Sequence, residues 1–351
     1  MTATSAASAA GEPGLPADWT AAGAHQVAPS VYRIPLPLPG DGLRAVNVYA
    51  IDHGDSLTLI DAGWAVAETT AAMEHGLAEL ERTFTDISRI LVTHVHRDHY
   101  SYAAELRRRW GTHIALGIGE AGSLERIRLM AEGRATHSAP PRLRAAGAAA
   151  LAETIASRPR PAATEDNWNP PDEWLDGRQQ ITLKDRSLDG VPTPGHTRGH
   201  VVFADETAWS LFAGDHLLPH ITPSIGFELA PAASPLADYL HSLAVTRELP
   251  DMQLLPAHGP VTASTHERAD ALLAHHDRRL DASAAAVAAG AHTGLEVARV
   301  LRWTRRERRL EDLDPFNQML AVLETVAHLM VLVARGTLRQ TRLDGVDHYE
   351  V

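Results

Sequence analysis

One stretch of seven residues, 93–99 (Thr-His-Val-His-Arg-Asp-His), constrains this chain more than any other part of it. It follows an apolar, β-branched run at 90–92 that is typical of a buried strand. His94 and His96 point to the same side while the segment stays extended, and the later acid and histidine can face a second point once the chain turns. Imidazole nitrogens and carboxylate oxygens suit a borderline cation such as zinc. A solvated polar loop would not need so many ligands so close together, so we predict a metal site.

The composition limits what can hold such a metal and what the chain can bind. The 351 residues include no cysteine, so there is no disulfide framework and the ligands must be His, Asp or Glu. Hydrophobic residues make up 44% and charged residues 22%, which is an ordinary balance for a globular protein with a sizeable core. The formal net charge of −12 disfavours nucleic acid as a partner, although a local basic patch can override it.

The N-terminal segment bears on location. Residues 1–23 are rich in Ala, Gly, Ser and Pro, and they lack the basic start and continuous apolar run of a signal peptide. We therefore expect a disordered tail and a cytoplasmic protein. No run reaches the roughly 18 to 20 apolar residues of a membrane span, so we expect no membrane association.

Strand and helix patterns predict two β-rich halves around a helical insert. Strands are predicted at 30–34, 46–51, 57–60, 87–92, 180–183, 200–204 and 209–213. Pro35, Pro37 and Pro39 are expected to end the first of these strands. Helices are predicted at 67–84, 101–110, 124–131 and 143–156, and the last two lie in an insert at about 117–177.

Three later motifs place further ligand candidates at strand ends. The candidates are His196 and His200 in a turn-rich loop, Asp215 directly after a strand, and His258 after another apolar strand. Each has a glycine beside it, where the backbone can approach a metal closely. Any one of them alone is better explained as a turn residue. Their occurrence together with the histidines at 94–99 favours a joint site.

These motifs, in this order, resemble the metallo-β-lactamase superfamily of metal-dependent hydrolases over about residues 27–260. The resemblance implies an α+β fold, a four-layer αββα sandwich with two sheets face to face and helices outside. It implies that His94, His96 and His196 bind a first metal, that Asp98, His99 and His258 bind a second, and that Asp215 bridges the two. Asp61 is expected below the cluster, holding it by hydrogen bonds, and His200 is expected in a similar supporting position.

The resemblance also implies the chemistry. We expect two zinc ions per chain, with manganese or iron as alternatives, and a metal-bridging hydroxide that attacks a carbonyl or phosphoryl centre. Asp98 or Asp215 is expected to receive the proton. Tyr100 is a candidate donor to an oxyanion, with packing as the alternative, and His220 is a candidate to reach the substrate, with a surface position as the alternative.

The C-terminal part, residues 265–351, is predicted to be a separate small domain after a catalytic domain at 24–264. Helices are expected at 268–289, 295–303 and 317–336, and a β-hairpin at 338–343 and 348–351. This order resembles a winged-helix domain, which we expect to pack over the active site or to form a homodimer contact. Residues 302–309 hold five arginines and Trp303, but acidic residues follow, so a solvated helix end is favoured over a nucleic-acid contact.

Several functions fit this reading. The leading expectation is hydrolysis of a small thioester, ester or lactone. An endoribonuclease or phosphodiesterase is the main rival, and net acidity counts against it. A glyoxalase II-like enzyme and a β-lactam-hydrolysing enzyme are further alternatives. A non-enzymatic regulator is disfavoured, because a structural zinc would have four ligands in a closed site.

Overall fold

The computed structural model describes residues 18–158 and 165–351. Most of the predicted disordered tail, residues 1–17, lies outside this range. The described remainder of that tail makes specific contacts: Asp18 forms an ion pair with Arg44 at 3.1 Å, and Ala24 just after it donates its N–H to Glu79 at 2.7 Å. The proposed domain boundaries remain predictions.

Seven strands form the first sheet. They are β1 (His25–Ala28), β2 (Val31–Pro37), β3 (Ala45–Asp52), β4 (Leu57–Ile60), β5 (Ile87–Val92), β6 (His113–Gly117) and β7 (Glu173–Leu175). They lie side by side in chain order, antiparallel from β1 to β4 and parallel from β4 to β7. The short strand β7 was not predicted; it returns the chain to the sheet at the end of the insert.

Five strands form the second sheet. They are β8 (Gln179–Thr182), β9 (Ser187–Pro192), β10 (Val201–Asp205), β11 (Ser210–Gly214) and β12 (Gln253–Pro256). Their order is β12-β11-β10-β9-β8, and only the β11–β12 pair is parallel. The inner faces of the two sheets share one apolar cluster, in which Ile60 and Leu91 of the first sheet join Phe203, Phe212 and Leu255 of the second.

Helices cover both outer faces. Those described are α1 (Ala67–Glu79), α2 (Arg97–Trp110), α3 (Ala121–Ala131), α4 (Ala139–Ala145), α5 (Ala149–Ala156), α6 (Pro235–Glu248), α7 (Thr265–Ala288), α8 (Gly294–Val300) and α9 (Pro315–Ala334). Helices α1 and α2 pack on the first sheet, while α6, α7 and α9 belong to the cluster on the outer face of the second. The predicted αββα sandwich is confirmed.

The prolines of β2 correct one prediction. Instead of ending the strand, Pro35 and Pro37 lie within it and pair with β3. Strand β1 pairs with β2 only from Val31 to Arg33, so beyond that point no described strand pairs with this edge of β2. A proline there needs no N–H donor on that side, which is why the strand continues.

Two helix predictions also need correction. Helix α2 begins at Arg97, four residues earlier than predicted, because the backbone of His96 is extended and the next residue is already helical. Asp98 therefore lies in the first turn of a helix and not in a loop. The helix predicted at 143–156 is two helices, α4 and α5, separated by Gly147, whose φ of +80° ends the first helical path.

The C-terminal part has the predicted order of three helices and a hairpin. Helices α7, α8 and α9 are followed by β13 (Arg339–Leu343) and β14 (Val346–Glu350), although α8 ends at Val300 and not at Trp303. Insert helices α4 and α5 pack against α9 within the same apolar cluster as α7.

Helix α9 is long and apolar enough to cross a membrane by length and composition, which the sequence reading did not anticipate. Its buried side chains, among them Val322 and Leu329, pack within that cluster, and this is also how the core helix of a globular protein packs.

Candidate metal centre

The strand order brings all the predicted ligands to one edge of the sandwich. Because β10 runs antiparallel to β11, the loop before β10 lies beside the end of β11, and because β12 is parallel to β11, its end lies there too. His196, Asp215 and His258 occupy these three positions. Residues 93–99 follow β5 of the other sheet, and the N–H of Val201 donates to the carbonyl oxygen of Thr93 at 2.9 Å. The two sheets are thus joined at the site.

Four residues form a first group of potential ligands: His94, His96, His196 and Asp215. Nδ1 of His96 lies 2.9 Å from Nε2 of His94 and 3.0 Å from Nε2 of His196, and an oxygen of Asp215 lies 3.4 Å from the latter. One ligand atom from each residue lies within 4.8 Å of the others. This group matches the predicted first site.

A second group contains Asp98, His99 and His258. An oxygen of Asp98 lies 3.6 Å from Nε2 of His99 and 3.4 Å from Nε2 of His258. Asp215 faces both groups: its Oδ2 approaches His196, whereas its Oδ1 lies 3.7 Å from His99 and 3.4 Å from His258. The carboxylate therefore presents one oxygen to each group.

The hydrogen bonds of three of the ligand rings indicate that the remaining nitrogen of each ring is suited to bind a metal ion. Nδ1 of His99, His196 and His258 donates to Asp61, to the carbonyl oxygen of Ser224 and to that of Ala45, at 2.8, 2.8 and 2.7 Å respectively. In the neutral ring that a metal ion requires, each Nε2 is then an unprotonated acceptor aimed into the site. Nε2 of His99, Nε2 of His258 and Oδ1 of Asp215 are buried and have no hydrogen-bond partner among the described residues. A cation would satisfy all three acceptors.

Asp61 supports the cluster from below, where the sequence placed it. Its carboxylate accepts from the N–H of Thr93 at 2.8 Å, from the hydroxyl of Thr93 at 3.0 Å and from His99. Thr93 in turn lies 3.1 Å from Nδ1 of His94, and because its own proton goes to Asp61, its oxygen accepts from that ring. Asp61 thereby orients one ring in each group.

His200 supports Asp215 through the backbone. Its Nε2 accepts the N–H of Asp215 at 3.2 Å, and its Nδ1 donates to the hydroxyl of Thr193 at 2.9 Å. Gly214 makes this approach possible, because a Cβ there would lie 2.7 Å from both His200 and Thr93. Both ring nitrogens of His200 therefore hold the strand end, and neither is available to bind a metal.

The sequence analysis did not predict two residues that support the site. Asn47 of β3 donates to the carbonyl oxygens of Pro256 and Gly259, both at 2.9 Å, and so holds the loop that carries His258. Glu120, at the end of a turn after β6, is fully buried and accepts a short hydrogen bond from Thr197.

Glu120 braces both histidine loops. Besides the contact with Thr197, a Cβ on Gly199 would lie 2.5 Å from Cγ of Glu120, and the N–H groups of Val95 and Gly199 act against the rise that burial causes in the pKa of Glu120, so this side chain lies near the residues of both loops. Gly119 permits this contact, since a Cβ there would lie 2.5 Å from the carbonyl oxygen of Arg198. An acid in the glycine-rich turn that follows a buried strand was the available sequence signal.

The electrostatics favour a cation at the second group. Burial would lower the pKa of His99, but Asp61, Asp98 and Asp215 outweigh it and raise that pKa to about 10. Burial also opposes the shift at His258, where Asp215 and Asp98 raise the pKa. In the first group, burial lowers the pKa of His96 to about 3 and that of His196 to about 4, which keeps both rings neutral and able to bind a metal.

Two predicted substrate contacts are not brought into the cluster. The hydroxyl of Tyr100 is buried and donates a short hydrogen bond to the carbonyl oxygen of Asn169, which matches the packing alternative. His220 is exposed, and Arg305 donates to its carbonyl oxygen. In the described part of the chain, neither side chain makes a hydrogen bond, ion pair or ring contact with a residue of either group, so neither enters the proposed function.

The site opens along His96 and Asp98, which are the partly exposed ligands; the others are buried. Residues 218–227, here called the rim loop, pass beside it, because the carbonyl oxygen of Ser224 is the partner of His196. Arg268 of α7 donates to the carbonyl oxygens of Leu218 and Ile221 at 2.5 and 2.7 Å. Helix α7 thus holds the rim loop, and the rim loop in turn orients the ring of His196.

Comparison with known proteins agrees with this geometry. The family model for the metallo-β-lactamase superfamily matches residues 41–258, which contain all seven ligand positions. This chain belongs to the metallo-β-lactamase superfamily. A curated relative, "Probable metallo-hydrolase YqjP" of Bacillus subtilis (strain 168), is 25% identical over 265 residues, which cover 66% of this chain and 72% of that protein.

Two solved structures match nearly the whole of this superfamily member. A metallo-β-lactamase family protein of Thermus thermophilus has a TM-score of 0.74 and 25% identity, covering 93% of this chain and 99% of its own. A β-lactamase domain protein from Burkholderia ambifaria has a TM-score of 0.71 and 25% identity, covering 93% and 94%. With its family and its His/Asp groups established, the protein is a metal-dependent hydrolase.

Proposed function

We propose that the protein is a binuclear zinc hydrolase that acts on a small thioester, ester or lactone. The observation that carries the proposal is the placement of Asp215, whose two oxygens face two separate groups of ligands. Two metal ions held there would supply Lewis acidity and lower the pKa of water toward neutral. Manganese or iron would also accept this set of imidazoles and carboxylates.

The chain's own residues would perform three tasks. Thr93, Asp61 and Asn47 fix the rings and loops, so little reorganisation is needed when substrate arrives. The partly exposed carboxylate of Asp98 lies at the mouth, where its oxygen can accept the proton of an attacking water. His99 and His258 hold the pKa of Asp98 well below its usual range against the opposing effect of burial, so it is ionised at neutral pH.

A small carbonyl substrate is favoured over RNA by the structure of the basic stretch at 302–309. Trp303 is buried, its indole N–H donates to the carbonyl oxygen of Ala298 at 2.9 Å, and the guanidinium of Arg279 lies 4.2 Å over its ring. Arg305 is held against the rim loop. These groups serve packing and loop support, which leaves less of the stretch available for phosphates.

Partners and location follow as part of the same proposal. We infer a small-molecule substrate, a cytoplasmic protein without membrane association, and a C-terminal winged-helix-like module that packs beside the active site. Contact of Arg268 and Arg305 with the rim loop supports the packing role. A homodimer through that module is compatible with it.

A substrate panel tests the proposed function. Zinc-loaded protein is assayed with p-nitrophenyl esters, acyl thioesters, lactones, a β-lactam, a glutathione thioester and single-stranded RNA. We expect turnover of one of the first three classes, lost on chelation and restored by zinc. Cleavage of RNA alone, abolished in the Arg305→Ala/Arg306→Ala double variant, would replace the proposal with a ribonuclease. An inactive zinc-loaded protein would refute it.

A further inference from the structure

Aromatic rings from three separate parts of the chain meet beside the open side of the metal centre. Phe227 ends the rim loop, Phe316 lies in the first turn of α9, and His137 precedes α4. The centroid of the Phe227 ring is 6.4 Å from that of His96, 5.5 Å from that of Phe316 and 6.1 Å from that of His137. We call Phe227, Phe316 and His137 the aromatic wall.

The wall is partly exposed, although Phe227 also packs against the apolar cluster of the C-terminal helices. Phe316 is 40% exposed and Phe227 is half-buried, next to the most open ligand of the first group. The backbone of Phe316 is fixed, since Asp314 accepts its N–H at 3.0 Å and Pro315 begins the helix. Gly226 fixes the other side: its φ is +87°, and Arg142 donates to its carbonyl oxygen at 2.6 Å. The backbone is therefore held in place on both sides of the wall, and the Phe227 ring lies beside His96.

The geometry of the wall distinguishes between kinds of apolar group. The rings of Phe227 and Phe316 are edge to face at 84°, and His137 stacks on Phe227 at 28°. Aromatic rings prefer these edge-to-face and offset-stacked arrangements at centroid distances of about 4.5 to 7 Å. A further ring placed on the exposed part of the wall would extend the same pattern, whereas a short alkyl chain would gain only contact area.

We propose that the aromatic wall receives an aryl group of the substrate. This group is attached to the reacting carbonyl directly or through one methylene, so that the carbonyl lies at the metal centre while the ring rests on Phe227 and Phe316. The identification of the aryl group as part of a substrate rests on the proposed function. The wall itself is a specificity-determining feature contributed jointly by the rim loop, the insert and the C-terminal helices.

Carboxylate binding tests this proposal without requiring turnover. Isothermal titration calorimetry compares benzoate, phenylacetate, cyclohexanecarboxylate and acetate on zinc-loaded protein. We expect one of the two aryl carboxylates to bind about tenfold more tightly than acetate, and more tightly than cyclohexanecarboxylate. Phe316→Ala and the milder Phe316→Leu should each lower the ratio of aryl to acetate affinity toward one. Leu343→Ala, an exposed apolar change on the terminal hairpin, is the control and should leave the ratio unchanged.

Three results would overturn the proposal. These are equal binding of the aryl carboxylates and acetate, equal binding of cyclohexanecarboxylate and benzoate, and an unchanged ratio in both Phe316 variants. A dimer that buries Phe316, detected as a doubled mass that the Phe316→Ala change abolishes, would likewise assign the wall to a second copy of the chain. The outcomes are separable from those of the substrate panel. An aryl preference without turnover refutes the hydrolase alone, whereas turnover with no aryl preference refutes the wall alone.

Discussion

The metal centre and the helical core each contain buried histidines, and they differ in what faces the ring nitrogens. At the metal centre, one ring nitrogen from each of five histidines lies in a group with one of two carboxylates. Between α7 and α9, His276 and His328 satisfy one another: Nδ1 of His328 donates to the carbonyl oxygen of Glu324 at 2.8 Å, so its Nε2 accepts from His276 at 3.1 Å.

The difference shows what turns buried imidazoles into a metal site. Neither His276 nor His328 belongs to a group of three or more possible metal ligands in the described part of the chain. Nε2 of His276 also lacks a hydrogen-bond partner among the described residues, so one orphaned nitrogen is not a sufficient signal. Convergence of several orphaned acceptors with carboxylates is what distinguishes the first cluster.

Metal removal should have the largest effect, and it should act on the metal centre and not on the His276–His328 pair. Chelation should abolish hydrolysis, and restoring zinc at 1,000 times its Kd should raise the free energy of unfolding by about 4 kcal/mol per site, since only the folded chain presents the ligands. Denaturant unfolding with and without zinc measures this. The His276→Gln variant should show the same zinc-dependent gain. Loss of that gain in His276→Gln would place the core pair in the metal site.

Asp215→Asn should lower kcat/KM by at least about 100-fold, because metal ions contribute several kcal/mol of transition-state stabilisation. Bound metal should fall with it, since a neutral amide cannot serve both ligand groups. The matched control is Asp205→Asn, a buried acid at the end of β10 that is paired with Arg186 at 3.0 Å and should change neither property. Wild-type turnover in Asp215→Asn would contradict the bridging role.

Glu120→Ala should weaken zinc binding by about 10- to 100-fold, which is typical when a group that orients metal ligands is lost. Burial raises the pKa of Glu120 to about 8, so the carboxyl is largely protonated at neutral pH and Glu120→Gln should retain most of the affinity. Competition with a chromophoric chelator measures the affinity. Glu125→Ala, on the exposed face of α3, is the control. Equal zinc affinity in Glu120→Ala and the wild type would show that Glu120 is not needed to hold the two histidine-bearing loops in place.

The buried His276–His328 pair should lower the free energy of unfolding as the pH falls. Burial lowers the pKa of His276 to about 2, so the native ring stays neutral while the unfolded chain binds a proton below about pH 6.5. The stability contribution is therefore complete above pH 6.5 and falls by about 1.4 kcal/mol for each pH unit below it. Denaturant unfolding of metal-free protein at about pH 7.5 and about pH 5.5 should show a smaller loss in His276→Gln than in the wild type or in the exposed His75→Gln. Equal losses in all three would contradict this assignment.

Local sequence was enough to predict much of the fold and all seven ligand candidates. Residues 93–99 hold four ligands in one short segment, and glycines mark the other strand ends, so the local pattern was enough. The start of α2 at Arg97 was missed because loop and first turn have the same composition there. Glu120 was missed for a different reason: its contact with Thr197 spans 77 residues and depends on the closeness of two glycine-rich turns, which only the folded structure shows.

We propose that Asp215 joins two metal positions in one chain. The most direct measurement is the metal content of zinc-reconstituted protein by inductively coupled plasma mass spectrometry after removal of free zinc, with native mass spectrometry to count the ions on each molecule. We expect two zinc ions per chain in the wild type and in His276→Gln. One ion or none per wild-type chain would contradict it.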